Sequence, residues 1–318
     1  MTADKAKRIG FIGLENMGLW MATNLAEKLP VNSKLYVFDI VTALMHDVCA
    51  KYPEKALACS GPKDVAEKSD IIITMLPEGK HVKEVYMGRN GICSSDVNNK
   101  LLVDCSTIDT ASFLEVKDHI TKHFPSASIY DAPVSGGVIG AKKGTIAFFL
   151  GCAKENTEID KLKQLLGLMG EEVIPCGCPS LGLAAKLSNN YLSGIIAIAC
   201  SEAMDMGMRS GLDPRVLSQV FAAGTAQNTI CDRFNPVPGV YADAPSSNGY
   251  QNGFKVQLMK KDFSLALDMA RRVGSTNVLG DVGLETYRGA SEDERCRDLD
   301  SRIVFRYLGG NENWQVER

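Results

Sequence analysis

Lys186 and Asn190 stand four residues apart in Cys176–Leu192, where the neighbours on the predicted helix are mostly small or apolar. On a helix that spacing puts both side chains on one face. A lysine among apolar neighbours loses hydration, its proton affinity falls, and it can exchange a proton near neutral pH. An amide one turn away can hold a substrate oxygen or the amine itself. From spacing alone, a surface lysine beside a helix asparagine is the plainer reading. A second stretch with chemical potential is Asp131-Ala-Pro-Val-Ser-Gly-Gly-Val-Ile-Gly-Ala-Lys-Lys-Gly-Thr145, which follows a predicted strand. Ser135, Gly136 and Gly137 offer a hydroxyl and unhindered backbone amides to a small carboxylate. A plain glycine turn between strands fits those residues equally well.

A third stretch, Phe11-Ile-Gly-Leu-Glu-Asn-Met-Gly18, follows a short apolar strand and leads into an apolar-periodic helix. That is the setting of a G-x-G-x-x-G dinucleotide turn. Gly13 and Gly18 hold the first and third glycine positions, with Leu14, Asn16 and Met17 between them, but Glu15 holds the second. The second glycine ordinarily lets the backbone approach a pyrophosphate, and a carboxylate near two phosphates costs on the order of 1 kcal/mol at ~4 Å in water. Amides at the start of the helix near Met17, or a side chain turned to solvent, soften that cost. Asp39 closes the next strand, Leu35–Phe38, about 20 residues past the turn as the fingerprint requires. A carboxylate there accepts from ribose hydroxyls and repels a 2′-phosphate, which predicts NAD over NADP. Otherwise Asp39 is only a strand-end turn residue.

These residues need elements to position them. Short β-branched runs at Ile9–Ile12, Leu35–Phe38, Ile71–Met75, Leu101–Val103, Ser128–Tyr130, Ile146–Leu150 and Val173–Pro175 alternate with helical patterns such as Met17–Leu29 and Ala111–Phe124. Alternation of this kind predicts a mostly parallel sheet covered on both faces, and near-continuous apolar strands fit burial on both sides. From Gly182 the pattern is helical: one long helix to Ser210, another opened by Asp213, a third over Lys260–Val273, and an irregular segment from Asn235 to Tyr250. The boundary is expected near Pro179–Leu181, giving domains 1–180 and 181–318.

Composition bounds the rest. The 318 residues are 45% apolar and 23% charged, with a net charge of −3. No basic excess is available for phosphate neutralisation, so a nucleic-acid partner is not expected. No apolar run reaches the roughly 18 to 20 residues that span a bilayer, so no membrane partner is expected either. Ten scattered cysteines, with no signal peptide or N-x-S/T sequon, read as reduced thiols of an intracellular, cytoplasmic protein, or a mitochondrial one if a presequence has been removed.

Taken together, GFIGLENMG, TMLPEG, DCSTID, DAPVSGG with its trailing AKKGT, GLAAKLSNN, NPVPGV and KKDFSLA resemble the β-hydroxyacid dehydrogenase family over nearly the whole chain. NPVPGV with Pro245 and Tyr250-Gln251 points to its hydroxyisobutyrate branch. The resemblance implies an α/β Rossmann-type N-terminal domain and an all-α C-terminal domain for substrate and oligomerisation, joined by a long interdomain helix. It implies Lys186 as general acid/base with Asn190 as its partner, and Ser135, Gly136 and Gly137 as the substrate-carboxylate site. It places Leu76, Pro77, His81 and Thr107 along the cofactor, with Lys261 reaching it from the second domain. The implied reaction is NAD-dependent oxidation of a small 3-hydroxy acid to its semialdehyde, or the reverse, by a metal-free homo-oligomer, dimer or tetramer.

The sequence departs from the family at Glu15, at His81 where an asparagine is usual, and at Ser180 where a glycine is usual. Ala222–Asn228 also lacks the expected Ser-Ser-Gly-Arg and tryptophan. The alternatives are a tartronate- or succinic-semialdehyde-type reductase, or a non-catalytic nucleotide-binding module. His119 and His123, at i and i+4 beside lysines, read as a solvated helix face, and Cys176 and Cys178 as buried thiols without a zinc set. Ala203–Met208 reads as core or subunit packing.

Overall fold

The computed structural model describes residues 7–315. Contacts divide the chain into two compact units between Lys186 and Leu187. The first unit contains strands β1 (Arg8–Ile12), β2 (Lys34–Phe38), β3 (Ala56–Ala58), β4 (Ile71–Thr74), β5 (Leu101–Asp104), β6 (Ser128–Asp131), β7 (Val134–Ser135), β8 (Ile146–Leu150) and β9 (Gly170–Pro175). Its helices are α1 (Met17–Lys28), α2 (Thr42–Lys51), α3 (Pro62–Lys68), α4 (Gly79–Met87), α5 (Thr110–His123), α6 (Gly137–Lys143) and α7 (Ile159–Leu166). Helix α8 (Leu181–Arg209) contains the division between the units.

The main sheet runs β3-β2-β1-β4-β5-β6, all parallel. From the central pair β1 and β4 the chain winds outward to opposite edges, so the ends of β1 and β4 flank a topological switch point. Phe38, Ile12, Thr74, Asp104 and Asp131 lie in register across the sheet, so the segments after these strands leave from one edge. The continuous apolar strands have the expected cause. Ile9 and Phe11 of β1, Ile71 and Ile73 of β4, and Leu101 and Val103 of β5 pack on one face with α1. Ile12, Ile72 and Leu102 pack on the other with residues of α3, α4 and α5. Strands β3 and β7 escape sequence reading because two or three residues carry no periodicity. A smaller sheet pairs β7 antiparallel and β9 parallel to β8.

The second unit adds α9 (Pro214–Ala223), α10 (Thr229–Arg233), α11 (Val256–Val273), α12 (Gly280–Glu292) and α13 (Val304–Tyr307). Asp213 caps α9, as predicted. Helix α11 starts at Val256, four residues before the expected Lys260, because polar Gln257 does not obscure its buried Val256–Met259 face. Beyond β9 the only strand-like pairing among the described residues is a bridge between Lys255 and Asp300. The segment from Asn235 is irregular but well tied. Ser246 Oγ donates to the Asn235 carbonyl at 2.6 Å, and buried Tyr250 donates to that of Pro236 at 2.7 Å.

Cys178 is exposed and Cys176 half-buried, not buried as expected, because they lie in the turn between β9 and α8. On α5, His123 Nδ1 lies 2.8 Å from the His119 carbonyl of the preceding turn.

Candidate active site

The turn after β1 is built by contacts that exclude side chains at two of its glycines. Gly13 has φ +94°, and a Cβ there would lie 2.1 Å from the Met75 carbonyl oxygen. A Cβ on Gly18 would lie 2.0 Å from the Gly13 carbonyl oxygen, so α1 approaches the strand only without one. Both fingerprint glycines are therefore required by backbone packing. Glu15 is exposed, while Leu14 is fully buried. Asn16 precedes α1 at φ 46° and makes no side-chain capping bond to it.

Asp39 is buried and braces this turn. Its Oδ2 accepts from the Leu14 amide at 2.6 Å, and its Oδ1 from the Val41 amide at 2.7 Å. A carboxylate has about four acceptor positions, so this brace leaves capacity for ribose hydroxyls.

A hydroxyl network ties the next two segments together. Asp104, at the end of β5, accepts from Thr74 Oγ1 at 2.7 Å and from Ser106 Oγ at 2.6 Å. Ser106 Oγ in turn accepts from the Leu76 amide at 2.8 Å, and Thr74 pairs with buried Tyr86. Leu76, Pro77 and Thr107 are thus carried on segments cross-linked through one carboxylate, whose pKa is raised by burial. His81 lies on the first turn of α4, and its buried Nδ1 has no hydrogen-bond partner among the described residues. The glycine cradle at the switch point, the braced acid and this orphan nitrogen fit a dinucleotide.

Ser135 lies on β7 opposite Ala147, and Gly136 and Gly137 follow it at φ +131° and +63° into α6. No atom within 4 Å would meet a Cβ on Gly137, which leaves that backbone open.

Lys186 and Asn190 do lie on one helix, and both are buried. The start of that helix is held by Asp131, a fully buried residue at the end of β6. Asp131 Oδ1 accepts from the Ser180 amide and its Oδ2 from the Leu183 amide, each at 2.8 Å. Both carboxylate oxygens thus bind amides at the helix start, the groups such a terminus leaves unsatisfied. Burial raises the Asp131 carboxyl to about 6 against the opposing effect of these amides. Ser180 has φ 70°, which explains why glycine suits this position.

In the second unit Asn190 Nδ2 donates to Asp262 Oδ2 at 2.6 Å, and Lys261 Nζ lies 3.2 Å from Asp262 Oδ1. Asn190 and Lys261 therefore meet through an aspartate to which sequence reading assigned no role. Asp104 opens DCSTID, Asp131 opens DAPVSGG, and Asp262 lies in KKDFSLA. Their signal is an acid at a strand end or on the buried face of an amphipathic helix, but their partners lie 1 to 72 residues away.

Strand, glycine turn and helix at a switch point, with an acid ending the next strand, define a dinucleotide-binding α/β protein of the dehydrogenase type. Residues 8–177 match the family described as the NAD binding domain of 6-phosphogluconate dehydrogenase, and residues 181–308 the NAD-binding domain of NADP-dependent 3-hydroxyisobutyrate dehydrogenase. The chain belongs to the β-hydroxyacid dehydrogenase family that includes the 3-hydroxyisobutyrate dehydrogenases, and it is an NAD-dependent oxidoreductase acting on a CH–OH group.

It is 41% identical to the mitochondrial 3-hydroxyisobutyrate dehydrogenase of Rattus norvegicus, over 96% of this chain and 88% of that one. It is 38% identical to 3-hydroxyisobutyrate dehydrogenase of Pseudomonas aeruginosa, over 96% and 99%. An NAD-dependent L-serine dehydrogenase of the same organism is 35% identical over 89% and 91%. Among solved structures, Mycobacterium tuberculosis 3-hydroxyisobutyrate dehydrogenase with L-serine superposes with a TM-score of 0.87 at 29% identity, covering 96% of this chain and 100% of that one. These relatives favour neither a tartronate- or succinic-semialdehyde-type reductase nor a non-catalytic module. No helix of the described residues is long and apolar enough to cross a membrane.

Proposed function

We propose that the chain oxidises 3-hydroxyisobutyrate to its semialdehyde and catalyses the reverse reduction. The observation that carries this reading is a buried lysine, Lys186, one turn from buried Asn190 on a helix whose start is fixed by both oxygens of Asp131. Residues 1–180 would hold the dinucleotide through Gly13 to Gly18, Asp39, Leu76, Pro77, His81 and Thr107, and Lys261 on α11 is a further cofactor-contacting residue. A bound NAD would supply the hydride acceptor for the carbon bearing the hydroxyl. Lys186 Nζ takes the hydroxyl proton as that carbon is oxidised, and returns it to the nascent alkoxide in the reverse direction. Asn190, held by Asp262, orients the substrate oxygen. Ser135 Oγ and the amides of Gly136 and Gly137 receive the substrate carboxylate. The working form is a homo-oligomer, dimer or tetramer.

A second substrate deserves a place in the test. L-Serine is also a 3-hydroxy acid, one relative is an L-serine dehydrogenase, and this chain's 222–228 segment departs from the hydroxyisobutyrate pattern. Initial rates should be measured with 3-hydroxyisobutyrate, L-serine, glycerate and 4-hydroxybutyrate, each with NAD and NADP. The reading expects the largest kcat/KM with 3-hydroxyisobutyrate and NAD. Preference for L-serine moves the substrate assignment, and no turnover of any of these acids overturns the proposal.

A further inference from the structure

The described cysteines are free thiols, and two of them face one another inside the second unit. Cys200 of α8 and Cys231 of α10 are both buried, at 5% and 3% exposure, and their sulfurs are 3.1 Å apart. A disulfide needs about 2.05 Å, so roughly 1 Å of side-chain movement would bring them to bonding distance. Around them pack Ala197, Met204, Leu217 and Ile230.

The two sulfurs are not equivalent. Asn228 Nδ2 lies 3.1 Å from Cys231 Sγ, and Asn228 Oδ1 accepts from the Cys231 amide at 2.9 Å, so the side-chain donor is held against that sulfur. Asp232, whose charge works against a thiolate, has its Oδ2 bound by Gln227 Nε2 at 2.6 Å. Hydrogen bonding with Cys200, and then the Asn228 amide, draws the Cys231 thiol down against the opposing cost of burial. Cys200 is raised by its contact with Cys231 and by burial. One sulfur is thus set up as a nucleophile and the other as the thiol that resolves it.

We propose that Cys200 and Cys231 form a thiol pair that a peroxide converts to a disulfide, tying α10 to α8. The Cys231 thiolate attacks one peroxide oxygen. The O–O bond breaks, hydroxide leaves and takes a proton to become water, and Cys231 becomes a sulfenic acid. The Cys200 sulfur then displaces that hydroxyl as it gives up its own proton. One S–S bond forms for one peroxide consumed, and two waters are released. The bond would fasten α10, which directly follows the 222–228 segment. Asn235 Nδ2 already binds the Cys231 carbonyl at 3.2 Å, so the following irregular segment is fastened with it. This inference does not depend on which hydroxy acid the enzyme uses.

The test treats the full chain with a small excess of hydrogen peroxide, blocks remaining thiols with iodoacetamide, and maps the peptides by mass spectrometry. The expected product joins the peptides holding residues 200 and 231 with the loss of two hydrogens. It is reversed by dithiothreitol and accompanied by a rise of several degrees in Tm. In C200S, Cys231 should be trapped by dimedone as the sulfenic acid. The proposal is overturned if both cysteines are recovered alkylated while exposed Cys178 is oxidised, or if Cys231 proceeds to a sulfinic acid without the linked product.

Discussion

Helices α1 and α8 both follow a non-glycine residue at positive φ, Asn16 at 46° and Ser180 at 70°. From there their starts diverge. Asn16 gives α1 no side-chain cap, and Gly13 in the preceding turn and Gly18 in the first turn of α1 keep side chains out. The start of α8 is closed by Asp131, which takes one amide on each carboxylate oxygen. A helix start without a built-in anion suits phosphate from outside. A start occupied by a buried carboxylate has spent that capacity on fixing the helix and the side chains one turn along. The first arrangement suits the proposed backbone binding of a cofactor; the second fixes the helix that carries Lys186.

The largest effect is expected from Lys186→Ala, which should lower kcat by about 10²- to 10⁴-fold while leaving NAD affinity, read by fluorescence titration, nearly unchanged. Appreciable residual turnover would remove Lys186 from its proposed role. Gly13→Ala should act oppositely, raising the Kd for NAD at least about tenfold and lowering Tm, since its Cβ would meet the Met75 carbonyl at 2.1 Å.

Asp131→Asn should come next, costing about 2 kcal/mol of stability in urea titrations and several-fold in kcat, with NAD affinity preserved. Its pH signature is specific. Because burial raises the folded carboxyl to about 6 from an unfolded value near ~3.9, the folded state binds more protons between those limits, and Asp131's contribution to stability falls as pH rises. The stability difference between wild type and the variant should shrink from about pH 4 to about pH 6 and then level. A difference that grows over this interval would refute the assigned environment.

The smallest effects concern the two departures from glycine. Because the side chain is exposed, Glu15→Gly should tighten NAD binding by less than about threefold. Ser180→Gly should stabilise the fold by less than about 1 kcal/mol, since relief of positive-φ strain is offset by the entropy glycine loses on folding.

Much of this was legible in the residues. The sheet was readable because strands buried on both faces are apolar throughout, and the cofactor turn because its glycines answer to backbone sterics a few residues away. The long helix and the Lys186–Asn190 face followed from helical spacing. Strands β3 and β7 were too short to show a period. The exposure of Cys178 depended on a turn that local composition did not reveal.

By itself the sequence determined what rests on local geometry: which segments are strands or helices, where a glycine turn meets a helix, and which residues share a helical face. Only the tertiary structure decided which acids serve these features. Asp131 reaches amides 49 and 52 residues later, Asp262 reaches Asn190 across 72, and Cys231 meets Cys200 across 31. Such pairs form because burying a charged or polar group without a partner is costly, and the partner that satisfies it is chosen by how the chain packs rather than by its neighbours in sequence.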